Sequence, residues 1–408
     1  MAEAAAVNGM GQRRRTSRAA ANDERILDAA LELVDEHGVD QLSLRDVAEA
    51  VGLTHGALYS RYDNVAELLV DLWQQRSVAE MEQLVIAAAT RGLTAPEPDD
   101  PVWSGPPTAR RRVAVVLCLV AERIDELAEV IPRDLRELMV RHSLIRSDST
   151  FDAIGLGHLC SLIGYCVECS VHTFPPEDVV TTLEWLRRGS DPAFTGRAPE
   201  PWEPQQIVFS TGDPMRDAVL QACSAVVARS GMHRATLKRI GRAAGCVPSL
   251  VYNWYESREE LMLDMVRRGV EMTAVPSGQE MFGRIEAGPS LAAGWAEPSA
   301  LVRRRIPLEM YLGAMHNRRL ADVIRDLLAQ HLAVVAGGLA PPGAEIQRMA
   351  VLMLRQGNVI ASGISVLADL VPGLNRVDWR PYSGAILRGA FRSVADALDP
   401  EIQSSPAT

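Results

Sequence analysis

A self-similarity at an interval of 193 residues constrains this chain more than any other feature. Shifted by that interval, the 408-residue sequence aligns with itself over two segments without a gap. Leu27, Ala29, Val34, Gly38, Leu44, Ala50, Gly52, Tyr59, Tyr62, Glu67 and Leu68 meet Leu220, Ala222, Val227, Gly231, Leu237, Ala243, Gly245, Tyr252, Tyr255, Glu260 and Leu261. These are 11 identities over the 45 positions from Arg25 to Leu69. Ile26 with Val219, Ser43 with Thr236, Arg45 with Lys238 and Val47 with Ile240 keep residue type. Identities on glycines and apolar positions are the ones a shared backbone needs, so the fold is expected to contain one unit twice. Between the copies, Gly189 to Gly212 holds Pro192, Pro199, Pro201 and Pro204 with Gly196. That composition reads as a semi-extended linker.

Within the copies the apolar residues recur at intervals of three and four, as in Ile26, Ala29, Ala30, Leu33, Val34 and in Leu68, Leu69, Leu72, Trp73. This is the period of an amphipathic helix, and strand signals are nearly absent, so an all-α protein is expected. Breaks are predicted at Gly38, Gly52, Thr94–Pro107, Pro132 and Pro175–Pro176. In the second copy they fall at Gly231, Gly245, Pro276–Gly278, Pro341–Gly343 and Pro372–Gly373. At 47% apolar and 23% charged residues the chain can bury ordinary cores. Its 42 basic and 52 acidic residues give −10, which excludes a uniformly basic surface. Nucleic-acid binding would therefore need a local basic feature. Cys118, Cys160, Cys166, Cys169, Cys223 and Cys246 lie in apolar helical text, as buried thiols do in a reducing compartment. The longest apolar run noted, Val113 to Ala121, is nine residues, and no apolar region follows Arg13, Arg14 and Arg15. Neither a membrane partner nor a secretory signal is expected, and a cytoplasmic location follows.

Each copy opens with a tri-helical head. In the first, a helix runs roughly from Asp23 to Glu36 with Asn22 as its N-cap, and Gly38 supplies the left-handed turn after it. Ser43 and Asp46 have the spacing of a capping box at the start of a two-turn helix that stops at Gly52. Thr54 then caps a third short helix from His55 to about Arg61. Two short helices joined by a glycine turn after a longer one form a helix-turn-helix, whose last helix fits a major groove.

The string Ser43-Leu-Arg-Asp-Val-Ala-Glu-Ala-Val-Gly-Leu-Thr-His-Gly-Ala-Leu-Tyr-Ser-Arg-Tyr62, followed by Glu67-Leu-Leu, resembles the DNA-binding head of tetracycline-repressor-type (TetR-type) transcriptional regulators. Thr236-Leu-Lys-Arg-Ile-Gly-Arg-Ala-Ala-Gly-Cys-Val-Pro-Ser-Leu-Val-Tyr-Asn-Trp-Tyr255, followed by Arg258-Glu-Glu-Leu, resembles a diverged second copy. The resemblance covers about 45 residues of each unit and implies roles position by position. Ser43, Thr54, Tyr59 and Arg61 would bond phosphates, with Arg45 beside them; His55, Gly56 and Ala57 would face base edges; Tyr62 would pack the core. In the second copy Thr236, Tyr252 and Trp254 take the phosphate positions, flanked by Lys238 and Asn253, while Pro248, Ser249 and Leu250 take the base-facing ones. Hydroxyls and cations position such a head, and small residues let it approach bases and thymine methyls. Two departures stand out. The lysine usual at the start of helix four is Val65 in one copy and Arg258 in the other. Val247 stands where a capping hydroxyl belongs, although Pro248 suits the first helical position.

Charge divides unevenly. Arg13, Arg14, Arg15 and Arg18 precede any acid from Asp23 onward, either as an arm for a minor groove or as a solvated tail. The head from Asp23 to Arg76 carries four arginines against twelve acids; that from Asp213 to Arg268 carries nine basic residues against six. The expected organisation is an arm (1–22), a first head (23–76), a first helical body (77–189), a linker (190–212), a second head (213–268), a second body (269–400) and a tail (401–408).

The resemblance further implies that the last two helices of each body pair as a four-helix bundle. Asp152–Thr173 with Glu177–Arg188, and Ala344–Leu370 with Asp378–Leu398, are the candidates. Family members bind operators as dimers, with heads about 34–36 Å apart. A tandem chain would serve as its own pseudo-dimer on double-stranded DNA with unlike half-sites; a homodimer of chains is the rival. A small-molecule effector is implied, of unknown identity, and no other cofactor. Trp73, Met81, Trp103, Met139, His142, Trp295, Met310, Tyr311, Met315 and His316 are pocket candidates that the helical period assigns first to plain core. Cys166, Cys169 and His172 lie within reach of one another on one helix. A helical C-x-x-C lacks the turns of structural zinc sites, so packing is expected and no metal is assigned. The chain has no G-x-S-x-G, H-E-x-x-H, P-loop or dinucleotide fingerprint, so no enzyme is expected. The competing class is a helical ligand-binding or interaction protein whose heads no longer touch DNA.

Overall fold

A computed structural model describes residues 21–90, 106–146, 150–189, 207–273, 292, 294–339 and 344–398. Arg13, Arg14, Arg15, Arg18, Trp103, the linker up to residue 206 and the breaks at Pro276–Gly278 and Pro341–Gly343 lie outside the described residues. The fold is all-α: among the described residues the only β feature is an isolated bridge between Ile145 and Phe151. The chain divides into two compact units, residues 1–81 with 108–131 and residues 82–107 with 132–408. This division does not fall at the proline-rich linker, because the last helices of the first body pack against helices of the second.

In the first unit, α1 spans 21–37, and Ile26, Leu27, Ala30 and Val34 are its buried stripe. Asn22 is helical and so does not cap it. Gly38 turns the chain at φ 85°, a conformation that favours glycine. Then follow α2 (Leu44–Ala50), α3 (His55–Tyr59) and α4 (Val65–Leu72), which continues through a π turn at Trp73–Ser77 into α5 (Val78–Ala89). Trp73 and Met81 are fully buried, as core. Helix α6 (Ala109–Val120) is buried on nearly all sides and ties back to α1, since the Arg112 guanidinium donates to both carboxylate oxygens of Asp35 at 2.8 and 2.5 Å. The next helix, α7 (Asp125–Arg141), runs straight through Pro132, where a break was expected. Proline removes one backbone bond there, but Leu127, Ile131, Leu135, Leu138 and Met139 form a buried stripe along the whole helix.

In the second unit, α8 (Ala153–Glu168) starts at Asp152, whose carboxylate accepts from the Gly155 amide, and α9 spans Pro176–Gly189. The segment that the sequence reading expects to be a second head forms α10 (Pro214–Arg234), α11 (Leu237–Ala243), α12 (Pro248–Val251) and α13 (Arg258–Thr273). Its body has α14 (Leu301–Met315), α15 (Arg318–Leu339), α16 (Ala344–Leu367) and α17 (Arg380–Leu398). Helix α8 packs along α16, and α9 along α17. These are the four helices that the sequence nominates for pairing; α8 ends at Glu168, five residues before Thr173.

The crossing is close because glycine permits it. A Cβ on Gly164 would stand 1.8 Å from the Val359 carbonyl oxygen, and one on Gly363 would stand 1.9 Å from that of Cys160. Gly389 lies equally close to the Trp185 carbonyl. Inside the bundle, Gln356 donates to Ser161 at 2.8 Å, the Tyr165 hydroxyl donates to Gln356 at 2.9 Å, and Tyr382 shares a 2.9 Å hydrogen bond with Ser161. Ser362 donates to the buried Glu168 carboxyl at 2.7 Å, and burial pushes the pKa of that carboxyl up to about 8. The stretch Gln347–Leu367 of α16 is long and apolar enough to cross a membrane, with a mean hydropathy of 1.4. Arg355, Gln356 and Asn358 interrupt it, and α8 covers its packed face, so it reads as a core helix.

Candidate nucleic-acid interface

In the first head each short helix begins on a hydroxyl. Ser43 accepts from the Asp46 amide at 3.2 Å and donates back to the Asp46 carboxylate at 2.6 Å. Thr54 accepts from the Ala57 amide at 3.3 Å. These bonds serve helix-start amides, and that of Ala57 also donates to the Thr54 carbonyl at 3.0 Å. Gly52, at φ 67°, turns the chain between α2 and α3. Leu58 is fully buried and anchors α3, which leaves Thr54, His55, Gly56 and Tyr59 outward, with Ala57 half-buried. Tyr59 is 51% exposed, and the His55 ring meets its edge at 5.7 Å. Arg45 is exposed on α2. Arg61 is held by an ion pair to Asp23. Tyr62 faces inward; its hydroxyl donates to Asp71 at 3.0 Å, and burial with that carboxylate raises its pKa.

In the second head Thr236 caps α11 by accepting from the Arg239 amide at 3.3 Å. Gly231 and Gly245, at φ 81° and 71°, repeat the turns of Gly38 and Gly52. No side chain caps α12; Val247 is 64% exposed and Pro248 opens the helix. Val251 is buried beneath α12, while Pro248, Ser249, Tyr252 and Asn253 are exposed and Leu250 is half-buried. Trp254 is half-buried, and its indole N–H donates to Asp213 at 3.1 Å. Arg258 donates to the carbonyls of Met232 and His233 at 3.2 and 3.0 Å. Lys238 is exposed on α11.

Hydrogen bonds that the sequence did not signal recur at the same interval. Tyr255 donates to Asp264 at 2.7 Å, as Tyr62 does to Asp71. The Glu256 amide donates to the Glu260 carboxylate at 2.6 Å, as the Asp63 amide does to Glu67 at 2.8 Å. Asp264 also takes Arg216 at 2.9 Å and Arg268 at 3.0 Å. Although its burial works the other way, these bonds hold Asp264 below the usual carboxylate range. Burial pushes the Tyr255 hydroxyl up to about 12.

The first head matches, over residues 26–72, the family described as bacterial regulatory proteins, tetR family. Those residues are a TetR-family N-terminal helix-turn-helix domain. The chain is 34% identical over 61 residues to the HTH-type transcriptional regulator AcrR of Shigella flexneri, covering 14% of this chain and 28% of that protein. It is 33% identical over 61 residues to the probable acrEF/envCD operon repressor of Escherichia coli strain K12, covering 15% and 28%. It is 40% identical over 58 residues to the HTH-type transcriptional regulator AqdR of Rhodococcus erythropolis, covering 14% and 28%. The chain thus spans about a quarter of the length of these relatives.

Away from the heads, Met139, Met310 and Tyr311 are buried core, His142 bonds the Glu82 carboxylate at 2.9 Å, and the Trp295 indole donates to Ser365 at 2.5 Å. The Cys169 thiol donates to the Cys166 carbonyl at 3.0 Å, and burial pushes His172 down to about 4. Among the described residues no three His, Cys, Asp or Glu side chains come together as a metal site. A further likeness in sequence falls at the interval of 193 residues. Arg110, Arg111 and Arg112 of α6 meet Arg303, Arg304 and Arg305 of α14 at the same interval. Arg112 pairs with Asp35, while Arg304 and Arg305 pair with Asp369.

Proposed function

We propose that this protein is a sequence-specific DNA-binding transcriptional regulator, acting as a ligand-responsive repressor, that carries two TetR-type units in one polypeptide and pairs them with each other. The observation that carries this reading is the recurrence, 193 residues apart, of the tyrosine–aspartate bond inside each head. Such a bond is not demanded by helical period alone, so its repetition at one interval points to common descent of the two heads. The pairing rests on the bundle. Gly164 and Cys160 of α8 and Gly363 and Val359 of α16 are related by one offset of 199, and each glycine approaches the other pair's carbonyl. Reciprocal contact of this kind is the signature of a two-fold interface.

Within that reading, Ser43, Thr54 and Tyr59 in one head, and Thr236 and Tyr252 in the other, hold phosphates. Arg61, Trp254 and Arg258 are engaged inside their heads and act there first as braces. His55, Gly56 and Ala57 read one half-site; Pro248, Ser249 and Leu250 read the other, Leu250 offering an apolar contact to a thymine methyl. The half-sites should therefore differ. Relatives named as regulators and as an operon repressor favour repression, and a small molecule held in the bodies would release it.

Selection of bound duplexes from a random pool by the full chain tests this. The expected result is an asymmetric consensus bound by one chain. Tyr59→Ala should weaken binding on all sequences alike, and His55→Ala should change the preference of one half only. Tyr252→Ala should weaken binding as Tyr59→Ala does. A perfect palindrome bound by two chains would replace the pseudo-dimer with a homodimer. Failure to enrich any duplex would favour a helical interaction protein with lapsed heads.

A further inference from the structure

The two heads share a backbone and oppose each other in charge. From Ala218 to Tyr255 the second head has no acidic residue and five basic ones: Arg229, Arg234, Lys238, Arg239 and Arg242. The equivalent stretch of the first head, Arg25 to Tyr62, has seven acids and three arginines. The reversal sits on the helix that precedes the reading helix. Asp46 and Glu49 of α2 correspond to Arg239 and Arg242 of α11, and all four are exposed. Lys238 and Arg242 stand one turn apart on α11, on one face.

The few cations of the first head are largely spent within it. Arg25 donates to the Val51 carbonyl at 2.7 Å, and Arg61 pairs with Asp23. In the second head Arg239 reaches the Arg234 carbonyl at 3.2 Å, a bond that leaves its positive charge uncompensated. Phosphate contacts supply the salt-dependent part of DNA affinity through counterion release, whereas base contacts supply discrimination. A head with a net charge of −4 over its tip repels the same backbone that a tip of +5 attracts.

We infer that the second head, the one less like its family, supplies most of the phosphate grip on duplex DNA through Lys238, Arg239 and Arg242, and that the first head contributes mainly base discrimination. This rests on the DNA-binding reading above and adds to it a division of labour. Each phosphate contact removed lowers the slope of log affinity against log salt by about 0.9. Lys238→Gln with Arg242→Gln should therefore flatten the slope by about 1.8. If the curves meet at 1 M salt, that loss is about 30-fold in affinity at 0.15 M. Arg45→Gln in the first head should flatten it by about 0.9 at most. Glu49→Arg, which places at α2 the residue found at the equivalent position of α11, should steepen it.

The experiment is equilibrium binding of the full chain to its selected duplex and to an unrelated duplex, each over a salt series, with the three variants and Tyr252→Ala. Unchanged thermal unfolding of the variants, whose altered side chains are exposed, separates grip from folding. An unaltered slope in the Lys238/Arg242 variant, while Tyr252→Ala still weakens binding, would overturn the inference and leave the reading intact. So would an Arg45→Gln effect as large as that of the double variant, or tighter binding of an RNA hairpin than of duplex DNA. A wild-type chain that binds no duplex in a salt-dependent way would overturn both.

Discussion

Replacing Gly164 or Gly363 by alanine should expose how the bundle is held. Each new methyl carbon would lie 1.8 or 1.9 Å from a backbone carbonyl oxygen on the opposite helix, where ordinary contact begins at 3.4 Å. The obstacle is main chain, so no rotamer change relieves it, and α8 and α16 must separate locally by about 1.5 Å. Overpacking of this severity lies at the upper end of its usual range, about 3 kcal/mol. Alanine returns about 1 kcal/mol of helix propensity at each site. Each single variant should then lose about 2 kcal/mol of stability. Both glycines serve the same crossing, so one separation accommodates both methyls. The double variant should lose only about 1 kcal/mol, less than either single, whereas independent sites would give about 4. Urea unfolding of the four proteins, followed by far-ultraviolet circular dichroism at matched m-values, measures the cycle. Additive losses, or singles within about 0.5 kcal/mol of wild type, would refute the shared crossing.

Three further outcomes are expected. Glu168 is protonated in the folded bundle up to about pH 8 but ionises near pH 4.3 when unfolded, so its contribution is full at low pH and declines as pH rises through that window. Burial of His172 acts in the opposite sense below about pH 6.5. Thermal unfolding should therefore show a fall of up to about 2 kcal/mol between pH 6.5 and 8, which Glu168→Gln abolishes; an unchanged fall in that variant would contradict the assignment. Val247→Thr supplies the hydroxyl that α12 lacks and should add about 1 kcal/mol of local stability, read as about fivefold slower hydrogen exchange over residues 249–251. Asp264→Ala removes the acceptor that Tyr255, Arg216 and Arg268 share, leaving Arg216 only its bond to the Tyr255 hydroxyl, and should cost about 2–3 kcal/mol, whereas Asp71→Ala strands Tyr62 and should cost about 1; equal losses in urea unfolding would count against the larger network in the second head.

What the sequence made legible follows from how local each signal is. Ser43, Thr54, Gly38 and Gly52 act within three or four residues of themselves, and their capping bonds and turns stand where their spacing puts them. The pairing helices were implied by the family resemblance, with starts near Asp152, Pro176 and Asp378. Pro132 misled because a single proline is a strong local sign, yet the buried stripe from Leu127 to Met139 outweighs it. Asn22 misled similarly: a residue favoured at helix starts sits inside one. The Tyr62–Asp71 and Tyr255–Asp264 bonds were hidden, since nine residues is no helical neighbour distance and each pair spans a turn. The partner of Glu168 was equally hidden, because Ser362 lies 194 residues away. The arginine triplets of α6 and α14 were open to inspection at the same shift. They carry little signal by themselves, because the residues around them match only in general character.

The bundle of α8, α9, α16 and α17 is closed by a single translation product. A protein assembled from separate subunits is diluted apart at low copy number, and a defective allele can poison it by mixed assembly. On the proposed pairing within one chain, helices encoded in one reading frame escape both hazards: a cell holding a handful of molecules keeps every bundle closed, and a damaged copy spoils only itself. On the same proposal each half is released from having to suit its own duplicate, so mutation in one head leaves the other as it was.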